Sequence, residues 1–105
     1  MAEELTLDDL RRAIDALDEQ IVRLLNERAR CAFAVGRIKR ARGLGIYEPN
    51  REAVVIAHVK SVNAAMDGPL TDDAIERLYE RVMDEARRIQ RLEFARLNGQ
   101  DETEG

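Results

Sequence analysis

The 105-residue chain is 45% hydrophobic and 36% charged, with two tyrosines, two phenylalanines and two prolines. That composition suits one helical, salt-bridged domain and excludes a sandwich or barrel. A net charge of −4 speaks against the basic surface of a nucleic-acid binder, and no apolar run reaches the roughly 18 residues a membrane helix needs. The only cysteine, Cys31, rules out an intramolecular disulfide, so a reducing cytoplasm is the expected compartment. Cys31 and His58 each stand alone as soft ligands, which leaves no protein-made metal site and no expected cofactor. The opening Met-Ala-Glu-Glu leads into no apolar segment, so no signal peptide is expected.

The first helix announces its start at Thr6, an N-cap residue with Asp9 three positions on as the capping-box acid. Leu5 and Leu10 are spaced as a hydrophobic staple, and Asp8 and Asp9 suit the positive end of the helix dipole. Leu10, Ile14, Leu17, Ile21, Leu24, Arg28, Cys31, Val35 and Ile38 then recur at alternating spacings of four and three, a heptad-like seam. Gly43 and Gly45 in "ARGLG" end it. Pro49 fits the first position of a second helix, with Glu48 as its cap; Val55, Val59, Val62 and Met66 form its stripe and "MDGP" closes it. Thr71 caps a third helix, with Leu70 and Ile75 as a second staple. Tyr79, Met83, Ala86, Gln90, Phe94 and Leu97 line its inner face, beside Ile75, Leu78, Val82 and Ile89. The predicted domain covers residues 1–97, and 98–105 are expected to form a disordered, acidic, solvated tail.

A first helix of this length is a rod of roughly 50 Å, whereas a compact domain of this size has a radius of gyration near 13 Å. The two shorter helices cannot cover the whole seam, and a second copy of the chain is the simplest cover. The expected fold is therefore all-α: a three-helix protomer with one very long N-terminal helix, in an intertwined homodimer.

Polar residues interrupt these apolar stripes. Arg28 sits on the seam between Leu24 and Cys31, where the ordinary explanation is a snorkelling or ion-paired arginine. Lys39, eleven residues on, returns to within about 20° of the same helix face. Gln90 sits between Ala86 and Phe94 on the inner face of the third helix, where a buried amide needs hydrogen-bond partners. Taken singly, each has a structural explanation; together, two cations and an amide facing a helical interior point to a pocket for a small anion, with Arg suited to gripping carboxylates. Arg11 is about 25 Å from Arg28 along the rod, too far for one small ligand, so it joins such a site only from a partner subunit. His58 reads as a surface or half-buried residue and Cys31 as core. Without a nucleophile, metal or base, the cationic pocket suits binding alone, or a reaction that needs only conformational restraint and electrostatic stabilisation.

The runs "LRRAIDALDEQIVRLLNERARCAFAVGRIK", "YEPNRE" and "ARRIQ", in this order over residues 5 to 95, resemble the all-helical chorismate mutases of the short monofunctional type. The most specific matches are Leu17-Asp18, Leu24-Leu25, Glu27-Arg28, Val35-Gly36 and Lys39, followed by Pro49, Arg51 and Glu52. The resemblance implies rearrangement of chorismate to prephenate on the way to phenylalanine and tyrosine, without a cofactor, in a dimer with two equivalent sites. Arg28 would hold one substrate carboxylate and Arg11, in trans, the other. Lys39 and Gln90 would hydrogen-bond the ether oxygen of the breaking bond. Arg51 would be a supporting cation, and Glu48 and Glu52 the acids near the ring hydroxyl and Lys39. Glu48 stands where many members have Asp, and Ala86 where many have Ser, removing one donor to a carboxylate. The resemblance also leaves room for docking to another shikimate-pathway enzyme.

Two rival readings are an isochorismate–pyruvate lyase on the same scaffold and a non-catalytic helical dimerisation module. The loop at 42–49 lies closer to the mutases, and a pure interaction module would prefer apolar residues at Arg28, Lys39 and Gln90.

Overall fold

The computed structural model describes residues 4–104, with side chains through residue 99. The acidic opening at residues 1–3 and the last residue of the expected tail, Gly105, lie outside them. Among the described residues the chain is all-helical: α1 (Leu7–Ala41), α2 (Pro49–Met66) and α3 (Asp72–Glu104). None of these helices is long and apolar enough to cross a membrane. The chain divides into two compact units, Met1–Cys31 and Ala32–Gly105, and the division falls within α1.

The first unit is the N-terminal stretch of α1. Its start is the reciprocal capping box expected from Thr6 and Asp9: Thr6 N donates to Asp9 Oδ2 at 3.0 Å, and Asp9 N donates to Thr6 Oγ1 at 3.0 Å. The Thr6 backbone N–H, then Arg12 and the Thr6 hydroxyl, hold the Asp9 carboxyl below the usual carboxylate range. A depressed folded value means the cap contributes fully above the ordinary value and is lost as pH falls through the lowered one. The apolar seam here is exposed, with Leu10 at 46%, Ile14 at 55% and Ile21 at 52%. Cys31, expected in the core, is exposed as well. The surface that would bury this seam is not supplied by its own unit.

The second unit holds the last turns of α1, then α2 packed on α3. The α1 end is a Schellman turn: Gly43 N donates to Arg40 O at 3.2 Å and Leu44 N to Lys39 O at 2.8 Å. Gly43 carries the φ of 69° that this motif requires and that a side chain resists. Pro49 opens α2, and Asp67, in the left-handed region at φ 51°, closes it. Asn63 then fastens the following turn by donating to Leu70 O and to Asp72 Oδ1, both at 2.9 Å. Thr71 caps α3 through Ala74 N, which donates to its hydroxyl at 3.0 Å.

On α3, Met83 and Gln90 are buried and Tyr79, Ala86, Phe94 and Leu97 half-buried, as the stripe predicts. Leu78 departs from it at 56% exposed. The helix also runs beyond residue 97 to Glu104, where a solvated tail was expected. Asn98 accepts from Arg40 Nε at 3.1 Å, which ties the extension to the end of α1, and a single Gly99 costs a helix only about 1 kcal/mol.

The Thr71 cap gives a direct stability test. Thr71→Ala removes one satisfied N–H at the start of α3 and should cost about 1 kcal/mol, read as a lower urea midpoint with an unchanged slope at fixed protein concentration. An unchanged midpoint would mean the cap contributes nothing.

Candidate active site

The polar centre of the second unit is Lys39, in the last turns of α1 and only 6% exposed. A buried ammonium is costly unless its protons find acceptors. The Schellman turn brings the chain back over this side chain, so that Nζ donates to Ile46 O at 2.7 Å. It also donates to Gln90 Oε1 at 3.1 Å, and Glu48 Oε1 lies 3.3 Å away. Glu48 occupies the cap position of α2 but makes no side-chain capping bond. Its carboxylate is committed to the lysine instead.

Gln90, also 6% exposed, is fixed at both ends of its amide. Lysine has no acceptor, so the oxygen must face Lys39 and the nitrogen must face away. Nε2 accordingly donates to Ala32 O at 3.1 Å, across from α3 to α1. Gly36 makes this approach feasible: a Cβ there would meet Gln90 Cγ at 2.9 Å and its Cβ at 3.3 Å. One turn further along α3, Glu93 is 3% exposed. It accepts from Arg96 at 2.9 and 2.7 Å, and Arg37 Nε lies 3.7 Å off. The Arg96 hydrogen bonds, opposed by burial, hold the Glu93 carboxyl below its usual range.

Beside this cluster lies a second polar group. Arg87 on α3 donates to both carboxylate oxygens of Glu52 on α2, and to Asp84. The Glu52 hydrogen bond raises the guanidinium above its ordinary value. The same guanidinium stands 5.5 Å from the centroid of the Tyr47 ring. Glu52, expected near Lys39 and the ring hydroxyl, is therefore engaged by Arg87. Arg51 is exposed in the first turn of α2, and Ala86 is half-buried one turn before Gln90.

The structure thus brings Lys39, Gln90 and Glu48 together and ties Glu52 to the neighbouring arginine. Arg11 and Arg28 belong to the first unit, where Arg11 is exposed and Arg28 half-buried. Sequence reasoning left Gly36, the Ala32 and Ile46 carbonyls and Arg87 without a role. A glycine inside an otherwise strong helix was the available signal for the first. The Ile46 carbonyl had none.

The family model described as chorismate mutase type II matches residues 10–91. The chain is 42% identical over 91 residues to the bifunctional chorismate mutase/prephenate dehydratase of Neisseria gonorrhoeae, covering 82% of this chain and 24% of that protein. The protein of the same description from Aquifex aeolicus is 36% identical over 78 residues, covering 73% and 22%. This chain therefore spans about a quarter of the length of the curated relatives it matches. Among solved structures, chorismate mutase (form II) from Thermus thermophilus aligns with a TM-score of 0.76 at 29% identity, covering 81% of this chain and 93% of that one.

The Gly36 contact sets two effects against each other. Gly36→Ala gains about 1 kcal/mol of helix propensity but forces a clash in a packed crossing, which typically costs roughly 1–3 kcal/mol. The clash falls on Gln90 near its own backbone, so we expect a net loss of about 1 kcal/mol by thermal or urea melting at matched concentration. A more stable variant would show that Gln90 is free to move aside.

Proposed function

The chain belongs to the type II chorismate mutase family, and from that premise we propose that it converts chorismate to prephenate by a Claisen-type rearrangement. The observation that carries the reading is the buried pair of donors, Lys39 and Gln90, linked at 3.1 Å and each 6% exposed. The reaction is intramolecular and needs no proton transfer or covalent intermediate. The protein must hold the chair-like conformer and stabilise the negative charge that develops on the ether oxygen as the C–O bond breaks. Donors already fixed in a water-poor site need no reorganisation at that moment.

In this reading Lys39 supplies a charged donor and Gln90 a neutral one. The Gln90 amide has two N–H groups; Ala32 O takes one, and the other is the donor to the ether oxygen. The third proton of Lys39 turns from Glu48 to the substrate, and Glu48 then accepts from the ring hydroxyl. Arg28 grips one carboxylate and the partner subunit's Arg11 the other, with Arg51 as a supporting cation. Ala86 offers no donor, so the carboxylates depend on the arginines.

A homodimer is part of the same proposal. It is supported by the exposure of the α1 seam, where Leu17, Leu24, Val35 and Ile38 are 54%, 53%, 43% and 54% exposed. A cytoplasmic location, and docking to another enzyme of the pathway, also remain part of this reading.

Following chorismate consumption and prephenate formation tests the activity itself. Lys39→Ala should lower kcat by about a hundredfold or more while the variant keeps its helical circular dichroism and dimer mass, twice the 12.0 kDa chain. Unchanged turnover would remove Lys39 from the mechanism, and a monomer in light scattering at micromolar concentration would remove the trans arginine. Because an amide does not titrate, turnover should stay nearly flat from about pH 5 to about pH 7.5, and a steep loss over that range would contradict the role of Gln90.

A further inference from the structure

Two of the three partners of the Lys39 ammonium, Ile46 O and the Glu48 carboxylate, come from the short connection between α1 and α2. Beyond the backbone bonds of its turn and its contacts to Lys39 itself, that connection has little side-chain packing to hold it in place. Leu44 is 48% and Tyr47 65% exposed, and a Cβ added at Gly45 would meet nothing within 4 Å. A segment with so few buried contacts opens easily unless something fastens it. The residue between the two partners is Tyr47, and the group over its ring is the Arg87 guanidinium, at 5.5 Å. That guanidinium also binds both oxygens of Glu52. Glu52 lies in the first turn of α2, where its N–H donates to Glu48 O at 3.0 Å. Arg87 therefore grips the residue between the two lysine partners on one side and the helix turn that carries Glu48 on the other. It does so from α3, three residues before Gln90, the third partner of Lys39.

We propose that Arg87 is a positioning residue for the reaction: by clamping Tyr47 and Glu52 onto α3 it sets the Ile46 carbonyl and the Glu48 carboxylate that aim the Lys39 ammonium. The proposal rests on the chorismate mutase reading. A plain surface ion pair would contribute to stability at most and leave turnover alone. A clamp acts on geometry, and misplacement by an ångström of a group that acts on the reacting atoms is worth far more in rate than in stability. Guanidinium suits this task because it can bind a carboxylate through its edge while lying over an aromatic face. Lysine, a point charge, can hold one of the two at a time.

The test combines kinetics with amide hydrogen exchange of the 44–48 segment. In Arg87→Met, which keeps an apolar stem, we expect kcat for chorismate to fall about tenfold with KM changed much less, and exchange at 44–48 to accelerate. Arg87→Lys should recover part of both. Tyr47→Leu, which breaks the aromatic half of the clamp and leaves the α2–α3 ion pairs in place, should also accelerate exchange and lower kcat, and it serves if Arg87→Met does not fold. Wild-type kcat in a folded Arg87→Met, or a lower melting temperature with turnover and exchange unchanged, overturns the proposal. Should the wild-type protein leave chorismate untouched, the catalytic reading fails and the clamp as a catalytic device fails with it. Accelerated exchange in the two variants would then still establish the mechanical grip, and unchanged exchange would overturn that too.

Discussion

The ammonium of Lys39, held at 6% exposure, is the constraint around which the second unit is arranged. Withdrawing a charged amine from water is tolerable only if its protons are met by acceptors. Each acceptor here makes a demand on the backbone. Ile46 O needs the chain to reverse directly after α1, which the Schellman turn and the positive φ of Gly43 provide. The Gln90 oxygen needs α3 to lie within van der Waals reach of α1, which the missing side chain of Gly36 permits. Glu48 leaves the N-cap of α2 uncapped by its side chain in order to face the lysine. A cap is worth about 1 kcal/mol, less than the cost of a poorly compensated buried charge.

Under the mutase proposal, the same arrangement would accelerate a reaction that needs neither proton transfer nor a covalent intermediate. An intramolecular rearrangement asks only for a fixed substrate conformer and for donors aimed at the oxygen that gains charge. Donors immobilised by other hydrogen bonds meet that demand better than flexible ones. Lys39 and Gln90 are immobilised in this way, by Ile46 O, by Ala32 O and by each other. Under that proposal Glu48 and Ala86 leave both donors in place, and the arginines would bind the carboxylates.

What could be read from sequence divides along a physical line. The capping box of Thr6 and Asp9, the turn at Gly43 and the Thr71 cap depend on a few adjacent residues, and each was legible. Lys39 and Gln90 were legible as polar anomalies in apolar stripes, because burial of such groups is improbable without a reason. Choice of partner was not legible. Glu48 and Glu52 are both acids near one lysine in sequence terms, and only tertiary packing assigns the first to Lys39 and the second to Arg87. Its place on the seam predicts Cys31 in the core, yet it is exposed in the chain, since periodicity marks a face to be covered without saying what covers it. The run of α3 to Glu104 crosses polar, acidic residues that signal solvation, and solvation does not forbid a helix already nucleated upstream.

Under the mutase proposal, Gln90 acts as a hydrogen-bond donor that needs no proton from solution. The most direct test of this role is the pH dependence of kcat in Gln90→Glu beside the wild type. A carboxyl can donate only while protonated, and next to Lys39 it ionises readily, so the variant should lose activity as pH rises and fall about a hundredfold or more below wild type near pH 7.5. A Gln90→Glu enzyme that follows the wild-type profile and rate across the range would contradict a donor role for Gln90.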